Sequence, residues 1–533
     1  MEMNSKKRLA KHLKDFTNIG TALSTESDIN KFFQLVLNAA IEFTNCDGGT
    51  IYLISENKKF LDFKTICTLS KNLLLGMADT AKWPSIPLFD KNNQKIFKNF
   101  ASYVANTKKA CCIDDVYHQN IFDNSGTQKY DTENNYNSKS MAAIPMMDHE
   151  KELLGVIQLI NAMDENGEII PFSDEHLSSL TSLASLAAVA LTNRNLIDNL
   201  EKLLLEFLQS IATAIDRESK YTSGHIKRVA KLSDMLANAV QNDNAHYSKT
   251  KFSENELQEL SIASWMHDIG KITTPTHIRD KSTKLEIVFD RIELVLTRFD
   301  FIEALIKKDI FYLKNDVSKK ELNQLLKLLK KYRKFIIKMN SGGEFLENDA
   351  IDKIEEIAEF HYLSDEKEYY LINDNEKNNL LIKKGTFLPE EYEKMREHVI
   401  VTHEMLSQLT FPKKFKNVPK FAASHHELLN GKGYPFGLTA DELPIQSRII
   451  TIADLFEALT SSDRPYKKMK TLTETLKIMA FQVRDNCIDE HLFNLFLDSK
   501  IYLQYAKTSL DSEQIDDVNI PKIKEIYHEN NKK

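Results

Sequence analysis

From Ser173 to Ser219 the chain reads SDEHLSSLTSLASLAAVALTNRNLIDNLEKLLLEFLQSIATAIDRES, without a glycine or a proline. A stretch this long lacks both the residue that frees φ and the one that removes a backbone donor, and this predicts one long helix. Ser173, followed by Asp174 and Glu175, suits the N-terminus of such a helix. Leu196, Leu200, Leu203 and Phe207 recur at 4-3-4 spacing, a short coiled-coil seam interrupted by Asn193 and Ser210. Two arrangements satisfy the pattern: a helix packed on its own domain, or a parallel pair formed with a second copy. The expectation carried forward is a homodimer.

The helix separates two kinds of sequence. At 533 residues the chain exceeds what one core usually supports, so two or three domains are expected. Residues 1–24 read as a lead helix. Beyond them, helical spacing in FFQLVLNAAIEFTN alternates with strand-like GGTIYLIS, LDFKTICTL, MAAIPMM and GVIQLINAM, divided by loops rich in Asp, Asn and Gly. This predicts one α/β domain over 25–195, joined by a connecting helix over 196–219. From 206 to 508 nearly everything reads helical, an all-α bundle, and 509–533 reads as a polar, frayed tail. The fold class is therefore multidomain α+β.

A composition of 42% hydrophobic and 28% charged residues, with few Gly and Pro, fits a helix-rich globular protein, and a net charge of −7 argues against a surface that coats DNA or RNA. A small anionic substrate stays open, because local cations or metals can hold it. The five cysteines are scattered with no C-x-x-C pair, which disfavours a structural zinc or a disulfide framework and fits a reducing cytosol. MEMNSKKRLAKHLKDF has no apolar core, and no run approaches membrane-span length, so a cytoplasmic location without membrane contact is expected.

Among 15 histidines, most stand alone. Four groups differ: YTSGHIKRVA with His225, WMHDIGKI with His267 and Asp268, EKMREHVIVTHEML with His398, and SHHE with His425 and His426. A fifth element, TIADLFEALTSSDRPYKK, brings Asp454. Each lies in an apolar helical pattern, which turns these side chains toward a bundle interior. Imidazoles and carboxylates are costly there unless paired or bound to a cation. Their convergence predicts a metal centre of nitrogen and oxygen ligands, suited to iron, manganese, zinc or another first-row ion. Two bridged ions can clamp a phosphodiester and activate the attacking water.

HDIGK, HHELLNGKGYPFGL and IADLFEALTSSDRPYKK together resemble the HD-GYP family of HD phosphohydrolases over about residues 206–508. The resemblance implies a helix bundle holding two or three metals that hydrolyses a cyclic dinucleotide, cyclic di-GMP first, to the linear dinucleotide and in some cases to GMP. It implies His267 and Asp268 as ligands with Asp268 bridging, Asp454 completing the first shell, and His398, His425 and His426 holding the second ion. Lys271, four residues after His267, would hold a phosphate oxygen. Gly433, Tyr434 and Pro435 would line the substrate pocket, and Arg464 and Lys467 would face the dinucleotide.

Three departures qualify this carry-over. Tyr221 stands where members with a third metal have Glu, so two divalent ions are expected, iron or manganese before zinc. His225 is then either a ligand or a catalytic proton donor beside the ligands. Glu457 replaces the usual Asp three residues after Asp454. His398 follows Asp268 by 130 residues rather than a few tens, which marks about 286–380 as a helical insertion.

Residues 25–195 resemble a GAF domain through CDGGTIYLIS, DDVYHQNIFDNSGTQKYD and NYNSKSMAAIPMMDHEKELLGVIQLINAM. This implies an antiparallel sheet flanked by helices, with the loop of Phe122, Asp123, Ser125 and Gly126 of the kind that covers a pocket. No ligand follows from the residues, an unliganded dimerisation domain fits as well, and Cys111 and Cys112 read as ordinary thiols. The expectation is a GAF-regulated phosphodiesterase. The alternatives are a catalytically weak HD-GYP signalling or binding module, and a phosphohydrolase acting on another cyclic dinucleotide or a nucleotide.

Overall fold

The computed structural model describes residues 14, 16–26, 28–81, 83–218, 224–312, 316–342, 345–461 and 469–528, without the side chains of 218 and 316–318. The chain divides into two compact units, Met1–Lys202 and Leu203–Lys533.

In the first unit, residues 16–25 are helical and are followed by α1 (Ile29–Thr44). The Asp28 carboxylate accepts from the N–H groups of Asn30 and Lys31 to start α1, and Asn45 in the left-handed region ends it. The strands are β1 (Cys46–Ile54), β2 (Phe60–Thr68), β3 (Leu73–Leu75), β4 (Ile86–Pro87), β5 (Cys111–Ile113), β6 (Met141–Met147), β7 (Leu153–Met163) and β8 (Ile169–Ile170). They form one antiparallel sheet ordered β3-β2-β1-β7-β6-β5, with β4 on β2 and β8 on β7.

Because side chains alternate along a strand, successive residues serve opposite cores. Ile51 and Ile157 pack with Phe33 and Leu37 of α1, whereas Tyr52 and Val156 pack with Phe100 and Val104 of α2 (Phe100–Thr107). Phe122 stacks on Phe100 at 5.3 Å, and Asp123 and Gly126, at the start of α3 (Ser125–Asn134), line a cavity of about 270 Å³. The long helix is present as α4 (Asp174–Glu218), and the Ser173 hydroxyl accepts from His176 N–H at its start. Leu180, Leu183, Ala184 and Ala187 are buried in the first unit, while Leu196, Leu200, Leu203 and Phe207 are 51–63% exposed.

The second unit contains α5 (His225–Asn242), α6 (Glu254–Met266), α7 (Ile292–Tyr312), α8 (Asp316–Met339), α9 (Asn348–Glu359), α10 (Pro389–Ser407), α11 (Val418–Ala423), α12 (Ile445–Thr460), α13 (Leu472–Arg484), α14 (Glu490–Asp498), α15 (Ile501–Ser509) and α16 (Ile520–His528). One core is built from α5, α6 and α11–α16, through residues such as Val229, Ala263, Phe456, Leu476 and Phe493.

Two sequence expectations need correction here. The tail read as polar contains α16, whose Ile523 and Tyr527 are buried in that core, because Ile520, Ile523 and Tyr527 share one helical face. The insertion is not wholly helical either. HYLSDEKEYY forms a hairpin of β9 (His361–Ser364) and β10 (Lys367–Tyr370), turning at Asp365 and Glu366, both at positive φ.

The insertion has its own core around Val295, Phe299, Tyr332, Ile336, Ile354 and Leu371. Two buried lysines hold its ends together. Lys281 donates to Asn379 and Glu391, at 2.9 and 2.7 Å, and Lys284 donates to the carbonyls of Leu380 and Ile382, at 3.0 and 2.7 Å.

Candidate metal centre

Each cluster of the sequence analysis arrives on a different element. His225 opens α5, directly after Gly224 at positive φ. His267 and Asp268 follow the last residue of α6, and a 3₁₀ turn (Ile269–Thr273) carries the chain onward. His398 lies within α10, His425 and His426 follow α11, and Asp454 lies within α12.

Glycine permits the closest approach. A Cβ on Gly270 would stand 2.0 Å from the His398 carbonyl oxygen and 2.7 Å from Thr402 N, so only glycine lets the 3₁₀ turn lie on α10. Gly270 N–H donates to Thr402 Oγ1 at 3.0 Å, and that hydroxyl donates to the His267 carbonyl at 3.2 Å.

Two groups of ligand atoms result. His225, His267 and Asp268 form one, and His398, His425 and His426 the other, with the atoms of each group within 4.8 Å of one another. Asp268 stands between them. Its Oδ2 is 3.3 Å from His225 Nε2 and 3.3 Å from His267 Nε2, while its Oδ1 is 3.4 Å from His398 Nε2 and 3.8 Å from His425 Nε2. Asp454 Oδ1 joins the first group at 3.4 Å from His225 Nε2 and 3.8 Å from His267 Nε2.

The other ring nitrogens are tied back. His267 Nδ1 meets the Ser264 carbonyl at 2.8 Å, His425 Nδ1 meets that of Ala422 at 2.7 Å, and His398 Nδ1 meets that of Met395. An Nδ1–H committed to a carbonyl leaves the Nε2 lone pair facing inward, as a ligating imidazole requires. Nε2 of His225, His267, His398 and His425, and Oδ1 of Asp268, are buried without a hydrogen-bond partner among the described residues. Such a concentration of inward-facing orphan atoms is costly in a bare protein and fits two cations sharing a carboxylate.

The electrostatics divide in the same way. Burial and the neighbouring imidazoles hold His425 well below the ordinary histidine range, and burial pushes His426 down to about 3. Burial also opposes charge on His267, but the Asp268 and Asp454 carboxylates outweigh it and raise its pKa to about 9. Burial would raise Asp268, yet Lys271 and the imidazoles keep it well below the carboxylate range.

Most sequence-derived residues converge here, with adjustments. His225 lies inside the first group of candidate ligand atoms. Its Nδ1 contacts the Glu457 carboxylate, whose other oxygen accepts from Arg228 Nε at 2.6 Å. Glu457 therefore orients His225. Lys271 does not sit one helical turn from His267, because α6 has ended; it reaches back within the 3₁₀ turn to Asp268 Oδ2 at 2.5 Å.

The Gly431–Pro435 turn folds against the second group. Tyr434 stacks on His426 at 4.8 Å, and the Tyr434–Pro435 peptide is cis. Gly433 leaves no room for a Cβ, which would meet Leu428 N at 2.3 Å. Arg464 and Lys467 lie outside the described residues, as does Tyr221.

Three contributors went unassigned in the sequence reading. The Glu427 carboxylate accepts from Phe436 N–H at 2.6 Å and Leu438 N–H at 3.0 Å, anchoring the turn. Its signal was the acid directly after the two histidines. Arg228 stands three residues after His225, one turn along α5. The Arg396 guanidinium covers Tyr434 at 4.5 Å from the ring centre, a contact with no sequence signal.

Comparison with known proteins agrees with this division. Models of the GAF domain and the HD domain match residues 28–191 and 375–492. The 3'3'-cGAMP-specific phosphodiesterase 3 of Vibrio cholerae is 38% identical over 102 residues, 19% of this chain and 21% of that protein. A cyclic di-GMP phosphodiesterase of Thermotoga maritima is 38% identical over 100 residues, 19% of this chain and 27% of the relative. The 3'3'-cGAMP-specific phosphodiesterase 1 of Vibrio cholerae is 36% identical over 128 residues, 24% and 29% of the two chains. The chain thus spans 21–29% of the length of these relatives. It joins a GAF domain at residues 28–191 to an HD domain whose matched part is residues 375–492.

Proposed function

We propose that the chain is a metal-dependent phosphodiesterase that hydrolyses a cyclic dinucleotide, cyclic di-GMP first, to the linear dinucleotide, with GMP the further product to test for. The observation that carries this reading is the shared Asp268, one oxygen toward His225 and His267 and the other toward His398 and His425. His225, His267, Asp268 and Asp454 would hold one divalent ion and Asp268, His398, His425 and His426 the other, with iron or manganese suiting the imidazole and carboxylate set best. Bound there, two ions polarise a phosphoryl oxygen and lower the pKa of the attacking water.

The protein's own part is orientation. Backbone carbonyls fix the tautomers of His267, His398 and His425, and Glu457 with Arg228 fixes His225. Lys271, now paired with Asp268, lies within reach of the same centre and would meet a phosphate oxygen there. Tyr434 offers an aromatic edge beside the second group. Arg464 and Lys467 are assigned to the substrate by the resemblance.

The relatives' names divide between cyclic di-GMP and 3'3'-cGAMP, which makes 3'3'-cGAMP the second substrate to try. The cavity near Asp123 and Gly126, bordered by Tyr52, Trp83 and Tyr136, supports control by a small effector bound to the GAF domain. The exposed α4 residues support a homodimer.

The test is elemental analysis of anaerobically purified protein, coupled to hydrolysis of both dinucleotides on the same sample. About two ions per chain with turnover are expected. In the double variant His267→Ala, Asp268→Ala, metal content and turnover should both collapse, the latter by about 1000-fold or more. Retention of both would overturn the assignment.

A further inference from the structure

Beyond the metal groups, a run of stacked side chains leads away from the site to the segment that directly follows the insertion. His426 stacks on Tyr434 at 4.8 Å, and the Arg396 guanidinium lies over the Tyr434 ring at 4.5 Å. The same guanidinium stands 5.8 Å from the ring centre of Tyr392, one turn earlier on α10. Tyr392 in turn borders a groove of about 720 Å³ whose other wall is the segment after the insertion, including Lys383, Lys384, Thr386 and Phe387.

Arg396 gives one N–H to Glu393 at 2.9 Å, and its Nε–H is buried without an acceptor among the described residues. A guanidinium carries more donors than that one bond uses, in a planar fork that matches phosphate. Close to the Tyr434 ring and within reach of Tyr392, it combines an aromatic contact with donors left for an anion. The two exposed lysines beyond it extend the positive charge along the groove, while Tyr392 and Phe387 supply flat apolar surface of the kind on which nucleobases stack.

Resting on the phosphodiesterase reading above, we infer that Arg396, Tyr392 and the 383–387 segment form a subsite for the nucleotide half of the substrate remote from the attacked phosphate. Arg396 is then the specificity-determining residue: a compound must present a second anionic, base-bearing half to gain from this groove. The fold keeps that arrangement in place, because Lys281 and Lys284 clasp both ends of the insertion immediately before the 383–387 segment begins.

The test is steady-state hydrolysis of cyclic di-GMP and 3'3'-cGAMP by the metal-loaded full chain, wild type against Arg396→Gln, Arg396→Lys and the pair Lys383→Gln, Lys384→Gln. Arg396→Gln should raise KM by about tenfold or more with kcat changed far less, since a charged hydrogen bond to the remote half is uniform binding. Arg396→Lys should recover part of that loss. The lysine pair should raise KM by about threefold and weaken its dependence on salt.

An unchanged KM in Arg396→Gln, with wild-type turnover and equal metal content, would overturn the subsite alone. So would a fall in kcat with metal loss, which would mean that Arg396 merely supports the ligands. Metal-loaded wild type that turns over neither dinucleotide would instead overturn the phosphodiesterase reading, and the subsite with it.

Discussion

At the scale of single residues, the site depends on groups that the protein forces close together. Gly270 and Gly433 are needed because backbone stands where their Cβ atoms would go, at 2.0 and 2.3 Å. HDIGK and GKGYP display these glycines plainly, but only the packing of the 3₁₀ turn on α10 explains the first. Lys284 gives a measurable consequence of burial. The residue is 2% exposed, and its ammonium donates to two carbonyls and is pushed down to about 8 by burial. An unfolded chain with a lysine near 10.4 binds more protons than the native one between about pH 8 and 10.4, so this group makes stability rise with pH across that window. Below pH 8 both states are protonated and the burial penalty is fully present. Urea unfolding of the HD-bearing unit at pH 7.5 and 9.5 should therefore show a pH gain about 1–2 kcal/mol larger in wild type than in Lys284→Met. Equal gains in the two proteins would mean that Lys284 is not desolvated as described.

At the scale of elements, helices were the most legible. A Gly- and Pro-free run gave α4, and the amphipathic segments of the insertion gave α8 and α9. The β9–β10 hairpin escaped because ten residues of mixed charge carry little apolar alternation, and its turn uses Asp365 and Glu366 rather than the glycine that usually announces one. The C-terminal helix α16 escaped because its apolar face is only a few residues wide. On α4 the stripe Leu196, Leu200, Leu203 and Phe207 is exposed along its length, and in water such a stripe favours pairing with its like. The double variant Leu200→Glu, Leu203→Glu should convert a dimer to a monomer by light scattering at micromolar concentration. A wild-type chain that is already monomeric would exclude the homodimer.

At the scale of the whole molecule, the two compact units make separate predictions about stability. Ions bound to the native HD site stabilise only the unit that holds it, by about 2.7 kcal/mol at a hundredfold excess over Kd. Calorimetry of the metal-loaded chain should thus show one transition falling by about 5–10 °C on chelation, while the transition of Met1–Lys202 stays in place. A parallel shift of both would mean that the units do not unfold independently.

The order of sheet, long helix and bundle followed from local pattern, because periodicity and helix breakers act over a few residues. So did the identity of the histidines and carboxylates, whose dipeptides and turn are contiguous in sequence. The family match to the HD domain begins only at residue 375, since the insertion separates His225, His267 and Asp268 from their partners by more than a hundred residues. Which candidate ligand atoms gather into each group, that Glu457 and Arg228 hold His225, and that Arg396 lies over Tyr434 were decided by tertiary structure. These contacts join residues with no common periodicity, and only the packing of α5, α6, α10 and α12 brings their atoms within a few ångströms.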